Sequence, residues 1–355
     1  MTANRHPAVE AAVGDNAAAV RRRVLGRSFA PPGIRTAACT VLLLIGPWMN
    51  LSSSAREPFS IDTSRLVRHV VVLADSIGER HVWRAEALGE AAAYIESEFR
   101  KSGYHVNGLT YEVAGTVVTN LEGALPGSGA GGEAVVIGAH YDTVVGCPGA
   151  NDNASGVAAL LEIARVLADR RPTRSLRFVA FVNEEPPFFQ TDLMGSRRYA
   201  RACASKGEKI TGMLSLETLG YYSSEPGSQR YPFPFSLFYP STGNFAGFVG
   251  NLSSRSLVGR VKRAFERNSD FPCESAAVPG WLTGIGWSDH WSFWKAGYAA
   301  LMVTDTALFR YDAYHTREDT PDRVDFESLA RVAAGLVWVA ADLAGIPIAE
   351  ENDPD

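Results

Sequence analysis

Cysteine is scarce in this chain, with four in 355 residues. Cys39 lies in an apolar run near the start, which leaves Cys147, Cys203 and Cys273 in the body. Three cannot all pair with one another, and no two stand in a CxxC spacing, which argues against a disulfide framework and a thiolate metal centre. One disulfide with one free thiol stays compatible with an exported domain. Basic residues are in deficit too: 34 Lys and Arg against 39 Asp and Glu leave a net charge of -5. No basic stripe stands out, so nucleic acid is not an expected partner. There is no internal repeat and no long low-complexity tract. Linker-like composition is confined to "PGSGAGGEA" (Pro126 to Ala134), which is too short to divide domains and reads as a loop between two strands.

Long apolar runs are absent except for one. "TAACTVLLLIGPWMNL" is about fifteen residues of apolar sequence, short of the roughly 20 that a spanning helix prefers. It follows the basic stretch "VRRRVLGRSFAPPGIR". Basic first and apolar second is the order of a signal peptide or signal-anchor. The Arg cluster then stays inside, and everything after Leu51 faces outward. The expected organisation is a basic tail with a signal or anchor segment over 1–58, a folded domain over 59–348 and an acidic tail over 349–355. The expected location is exported, or membrane-anchored facing outward; a disordered tail on a cytoplasmic protein is the alternative.

The body is globular in composition, 46% hydrophobic and 21% charged, enough for one large domain or two small ones. "DTSRLVRHVVVLADSI", "RAEALGEAAAYIESEFRKSGY", "SGVAALLEIARVLADRR", "GSRRYARACASK", "SLVGRVKRAFERN" and "DFESLARVAAGLVWVAADLAG" carry apolar positions at helical spacing. "LTYEVAGTVVTNLEGAL" alternates and predicts a strand pair. "EAVVIGAHYD", "SLRFVAFVNEE", "KITGMLSLETLGYY", "YPFPFSLFYP" and "YAALMVTDT" predict single strands. Strands alternating with helices predict a three-layer α/β/α sandwich around a mostly parallel mixed sheet. In such sheets ligands bind beyond the carboxyl ends of the strands.

That rule gives the acids and histidines a meaning. His140 follows one apolar strand, Glu184 and Glu185 another, and Glu217 a third. Asp152 opens the helix after the first, and His315 follows the strand "YAALMVTDT". Each has a bland reading: Asp152 as a helix cap, the strand-end acids as solvated groups, Glu217 as the partner of an Arg. Together they do not. Four carboxylates converging without a cation repel one another and carry a desolvation cost. A pair of metal ions resolves that conflict, and the O and N donors of His140, Asp152, Glu185, Glu217 and His315 suit zinc.

The segments "GAHYDT", "GANDNASG", "NEE", "MGSRRYA", "LSLETLGYYS", "SDHWSFWKAGY" and "YHTREDTPD" resemble, in this order, the zinc peptidases of the M28 type. These include bacterial leucyl-type aminopeptidases, glutamate carboxypeptidase and, more distantly, glutaminyl cyclases. The resemblance runs from about Val117 to Gly345. It implies two zinc ions per chain, with Asp152 bridging them, His140 and Glu217 completing one set and Glu185 and His315 the other. Glu184 is the implied general base, Asp142 the partner that orients His140, and Asp289 a supporting acid. A cis peptide bond after Asp152 is implied as well. Glu217 departs from the Asp found in many relatives, but both are hard carboxylates. Beside His315, Tyr314 is a candidate donor to the oxyanion.

The expected reaction is metal-dependent hydrolysis of peptide bonds by an exopeptidase, most simply an aminopeptidase, with a peptide or amino-acid conjugate as substrate. The alternatives are a glutaminyl cyclase-like acyltransferase with one zinc, and a non-catalytic peptide-binding module. The aromatic and Gly/Pro-rich region from Tyr231 to Ile285 is expected either to wall the substrate pocket or to be ordinary core.

Overall fold

The computed structural model describes residues 59–347. The basic and apolar segment expected over 1–58 and the acidic tail lie outside these residues. Among the described residues no helix is long and apolar enough to cross a membrane.

The first helix, α1 (Thr63–Val71), is capped by Asp62, whose carboxylate accepts from the Ser64 N–H at 2.9 Å. It runs on through a wider turn over Val72–Ile77. The second, α2 (Ala85–Lys101), stops just before Gly103, whose φ of 87° no side-chain-bearing residue adopts cheaply. Strands β1 (Val106–Val113) and β2 (Thr116–Leu125) form an antiparallel hairpin. Its two-residue turn places Ala114 at φ 51° and Gly115 at φ 80°, the double positive φ that matches the twist of paired strands.

From there strands and helices alternate: β3 (Glu133–His140), α3 (Gly156–Leu167), β4 (Ser175–Phe181), α4 (Gly195–Ser205) and β5 (Lys209–Glu217). The remainder is β6 (Ala246–Asn251), α5 (Arg255–Asn268), β7 (Cys273–Val278), α6 (His290–Lys295), β8 (Ala300–Thr304), the short α7 (Ala307–Arg310) and α8 (Phe326–Ala344). The strands make one eight-stranded sheet in the order β1-β2-β4-β3-β5-β8-β6-β7. Its centre, β4-β3-β5-β8, is parallel throughout. β2 joins β4 antiparallel, and β6 joins β8 antiparallel.

Both faces of the sheet are covered. Val135 and Ile137 of β3 belong to a large core with Leu66, Ile95, Ile163, Phe265 and Val337, so α1, α2, α3, α5 and α8 form one layer. Val136, between them in sequence, packs instead with Tyr199, Cys203 and Phe293 of α4 and α6. This period-two division explains why β3 reads as an unbroken apolar run: its alternate residues serve opposite layers. Each fully buried Val, Leu, Ile or Phe contributes about 1.5–3 kcal/mol relative to exposure.

Two expectations need correction. "YPFPFSLFYP" is no strand; it is a loop with one 3-10 turn at Phe235–Leu237. Pro232, Pro234 and Pro240 have no N–H to offer a ladder. Phe233, Leu237 and Phe238 are 82%, 69% and 77% exposed, so the segment is not core either. The sheet takes β6 and β7 there instead, short strands whose Gly and Ala content hid them. Cys147, Cys203 and Cys273 are all free, so the disulfide compatible with export is not formed among them.

Candidate metal centre

The crossovers place the site. β3 connects through α3 to β4 on one side, and β4 returns through α4 to β5 on the other. The loops after β3, β4 and β5 therefore open at neighbouring positions on one sheet edge, where such folds bind ligands. His140 is the last residue of β3 and Glu217 the last of β5. β4 ends at Phe181, and Glu184 and Glu185 follow a short turn later.

His140 Nε2 lies 3.2 Å from Asp152 Oδ1 and 3.4 Å from Glu217 Oε2. His315 Nε2 lies 3.0 Å from Asp152 Oδ2 and 3.4 Å from Glu185 Oε2. The two oxygens of one carboxylate thus face two separate donor sets. Within each set one ligand atom per residue lies within 4.8 Å of the others. Glu184 is close as well, sharing a set of that size with His140 and Glu185. All five carboxylate or imidazole groups expected as ligands are brought together, with Glu184 beside them.

The turn holding Asp152 is stitched from both sides. Asn151 Oδ1 accepts from the Gly220 N–H at 2.8 Å, and its Nδ2 donates to Asp305 at 2.9 Å. Asn153 Nδ2 donates to the Leu216 carbonyl at 2.8 Å, and its Oδ1 accepts from the Thr218 N–H at 3.0 Å. The two asparagines around Asp152 therefore bind the segment that carries Glu217. Helix-start work falls to Asn153, whose Oδ1 also accepts from the Gly156 N–H at 3.2 Å. A Cβ on Gly156 would stand 2.3 Å from that oxygen, which fixes glycine there. Asp152 caps nothing, and its peptide bond to Asn153 is cis, as the family resemblance implied.

Asp142 stands against the Nδ1 of His140, where the resemblance implied it, and does a second job as well. Its carboxylate accepts from the N–H groups of Glu184 and Glu185, both at 3.1 Å. His140 Nδ1 meets the Asp142 main-chain carbonyl at 3.2 Å, while the carboxylate stays 3.7 Å away. Asp142 thus fixes His140 chiefly through its backbone, and its side chain fixes both glutamates. Ser288, missed in the sequence, donates to Glu217 Oε2 at 2.7 Å; its place beside Asp289 in "SDHW" was the available signal. Asp289 is fully buried with neither oxygen hydrogen-bonded. Tyr314 stacks on His315 with ring centroids 3.9 Å apart. Asn183, Thr218 and His315 all sit at positive φ (60°, 52° and 60°). Each costs roughly 1–2 kcal/mol for a residue with a side chain, and all three lie in ligand-bearing segments, where such strain concentrates.

The electrostatics express one imbalance. Burial pushes Glu184 well above the usual carboxylate range and takes Glu185 and Asp289 up to about 7. It raises Glu217 too. Burial also opposes charge on His140, but Glu217, Asp142 and Asp152 outweigh it and raise the imidazole well above its ordinary value. Against burial, Glu185 and Asp152 take His315 up to about 10. Asp152 is held low against burial by the same two histidines. Burial and mutual repulsion thus favour protons on the acids and charge on the histidines, the imbalance that a cation among these groups would relieve. His140 Nε2, His315 Nε2 and both oxygens of Asp152 are buried, and their mutual approaches of 3.0–3.2 Å lack hydrogen-bond geometry. A buried polar atom of this kind calls for a partner. Imidazole and carboxylate donors in two sets of three fit zinc.

Residues 120–340, more than half the chain, match peptidase family M28. The chain is 36% identical over 307 residues to the uncharacterized protein YfbL of Escherichia coli K12, across 84% of this chain and 93% of that one. It is 25% identical over 329 residues to a probable zinc metalloprotease of Leptosphaeria maculans, across 79% of this chain and 75% of that one. Among solved structures it is similar to BSAP, a zinc aminopeptidase from Bacillus subtilis, with a TM-score of 0.64 over 84% of this chain and 98% of that chain; at 17% identity this is a likeness of fold. The chain belongs to peptidase family M28.

Proposed function

We propose that this metal-dependent peptidase is an aminopeptidase working with two zinc ions, held by His140, Asp152 and Glu217 on one side and by Asp152, Glu185 and His315 on the other. The observation that carries the reading is the Asp152 carboxylate: both its oxygens are buried without a hydrogen bond, and each faces a different histidine. When bound, zinc supplies Lewis acidity toward a peptide carbonyl and toward water.

The protein's own groups do the rest. Glu184 takes the proton of the attacking water and returns it to the leaving amine. Its buried setting raises its proton affinity toward the range such a shuttle needs. Asp142 holds the backbone of Glu184 and Glu185 together, so one carboxylate can ligate while its neighbour stays free. Burial keeps the Tyr314 hydroxyl protonated, the form required of a donor to the developing oxyanion. A one-zinc cyclase would leave the Glu185–His315 set without a task. A non-catalytic module would have lost a ligand or the base, and the gathering of the five candidate ligands with Glu184 beside them supports the catalytic reading. From the basic-then-apolar order before residue 59 we also infer an exported or outward-anchored domain acting on peptides outside the cytoplasm.

The test is elemental analysis of dialysed protein beside an assay on aminoacyl-4-nitroanilides and N-terminally blocked peptides. Two zinc ions per chain and hydrolysis only of free amino termini are expected. Full activity in a chelator with trace metal would sink the reading.

A further inference from the structure

The segment from Pro148 to Asp152 is gripped on its N–H side and on its carbonyl side by two residues outside the metal set. Asp319 takes three consecutive N–H groups. Its carbonyl accepts from Ala150 at 3.1 Å, its Oδ1 from Asn151 at 2.8 Å and its Oδ2 from Asp152 at 3.0 Å. The Tyr311 hydroxyl donates to Oδ1 at 2.9 Å and steadies the carboxylate. On the other side stands Arg80, fully buried. Its guanidinium donates to the carbonyls of Pro148 at 2.7 Å, Gly149 at 3.2 Å and Tyr141 at 2.9 Å, and also to Leu73 and Gly78.

No carboxylate takes any of these Arg80 bonds. A buried guanidinium spent on main-chain carbonyls is costly unless its charge is used. The acids nearest in electrostatic terms are Asp142, Asp319 and Asp152. Gly149 completes the fit: at φ 66°, a Cβ there would stand 2.4 Å from the Asp152 carbonyl and 3.2 Å from Arg80 Nη2.

We propose that Arg80 and Asp319 are positioning residues that set zinc affinity by fixing the Asp152 turn, Asp319 also tying that turn to the His315 loop from which it comes. This rests on the metal assignment above. Neither residue touches the reacting atoms. Their effect runs through the direction of the Asp152 carboxylate, on which both donor sets depend. Outer partners that orient ligands typically govern 10–100-fold in metal affinity.

The experiment is zinc titration against a chromophoric chelator for the wild type, Asp319→Asn and Arg80→Lys, with circular dichroism on the same samples. Asp319→Asn puts an NH2 group against a backbone N–H. Arg80→Lys keeps the charge but loses the fork that reaches Tyr141, Pro148 and Gly149 together. Both variants should bind zinc at least 10-fold more weakly while retaining the fold. In excess zinc, kcat should return toward wild type with KM little changed. For a variant unfolded in chelator, the zinc concentration that restores the spectrum gives the same comparison. Wild-type zinc affinity in either folded variant overturns the proposal, and so does a variant that stays unfolded at saturating zinc. A wild-type chain that binds no zinc sinks the metal assignment itself, and this proposal with it.

Discussion

Asn153→Ala tests whether the Asp152 turn and the Glu217 strand are one structural unit. Asn153 is fully buried and makes three side-chain hydrogen bonds to main-chain groups of Leu216, Thr218 and Gly156. Truncation removes the partner of the Leu216 carbonyl and of the Thr218 N–H in a place sealed from solvent, while the Gly156 N–H keeps the Asn153 main-chain carbonyl. Each such group costs about 1–3 kcal/mol. A water entering the space left by the side chain recovers part of this, so the expected loss is about 2–4 kcal/mol. That is a large share of the 5–15 kcal/mol that holds a typical domain together.

The assay is urea unfolding in the presence of a chelator, so that metal loss does not contribute. The midpoint should fall with the m-value unchanged. Asn153→Asp gives a contrasting signature. It keeps the two acceptor bonds but sets an oxygen against the Leu216 carbonyl, so it should be destabilising at neutral pH and milder in acid, where a protonated carboxyl can donate. A loss below about 1 kcal/mol for Asn153→Ala would refute the reasoning, because the two orphaned groups could not then be buried as described.

Glu184→Gln should retain near-normal zinc and lower kcat by the 10²–10⁴ expected of a general base, whereas Glu185→Gln should lose one zinc and recover partly in excess metal; the reverse pattern exchanges their roles. Metal-free protein should lose stability as pH rises from about 5 to 9. The sign follows from protons retained in the folded state: buried Glu184, Glu185 and Glu217 and charged His315 all have folded pKa values above their unfolded ones, so their protonated forms favour folding and are lost across that window. Melting temperatures in chelator at pH 5.5, 7 and 8.5 check this, and a rising series contradicts it. A chain begun at Pro58 should be soluble and fully active, and its insolubility would mean that the apolar run packs on the domain.

The site was legible because its chemistry conflicts with its surroundings. "MLSLETL" and "LRFVAFVNEE" place acids straight after runs that must be buried, and a shared cation is the simplest way to reconcile the two. Helices were legible through their period, and Asp62 and Asp325 cap two of them by accepting the Ser64 and Ser328 N–H groups. What stayed hidden was whatever depends on distant pairing. β6 and β7 are short and rich in small residues, and they acquire strand character only by packing beside β8 and under α5. "YPFPFSLFYP" has the composition of a strand but lacks the N–H groups to be one. Asn151 and Asn153 looked like turn formers, and nothing in a local pattern says that their amides bind Gly220, Leu216 and Thr218. Asp142 sits where a histidine partner belongs, and nothing local says that its carboxylate also takes the main-chain N–H groups of Glu184 and Glu185.

These hidden bonds decide how the site tolerates its own cost. Three residues in ligand-bearing segments hold positive φ without being glycine, and several acids are packed where burial resists their charge. Apolar packing alone cannot maintain that arrangement, because it has no direction and would as readily turn the acids outward. Direction comes from the main chain. Asp142 takes the N–H groups of Glu184 and Glu185, and the two asparagines take those of the Glu217 segment. Asp152, Glu184, Glu185 and the Glu217 segment are therefore aimed largely by bonds to the main chain, while Ser288 on Glu217 Oε2 and the Asp142 carbonyl on His140 Nδ1 hold the side chains directly. An alanine at any of these supporting positions should weaken metal binding without removing a ligand, and that separates them from the residues they support.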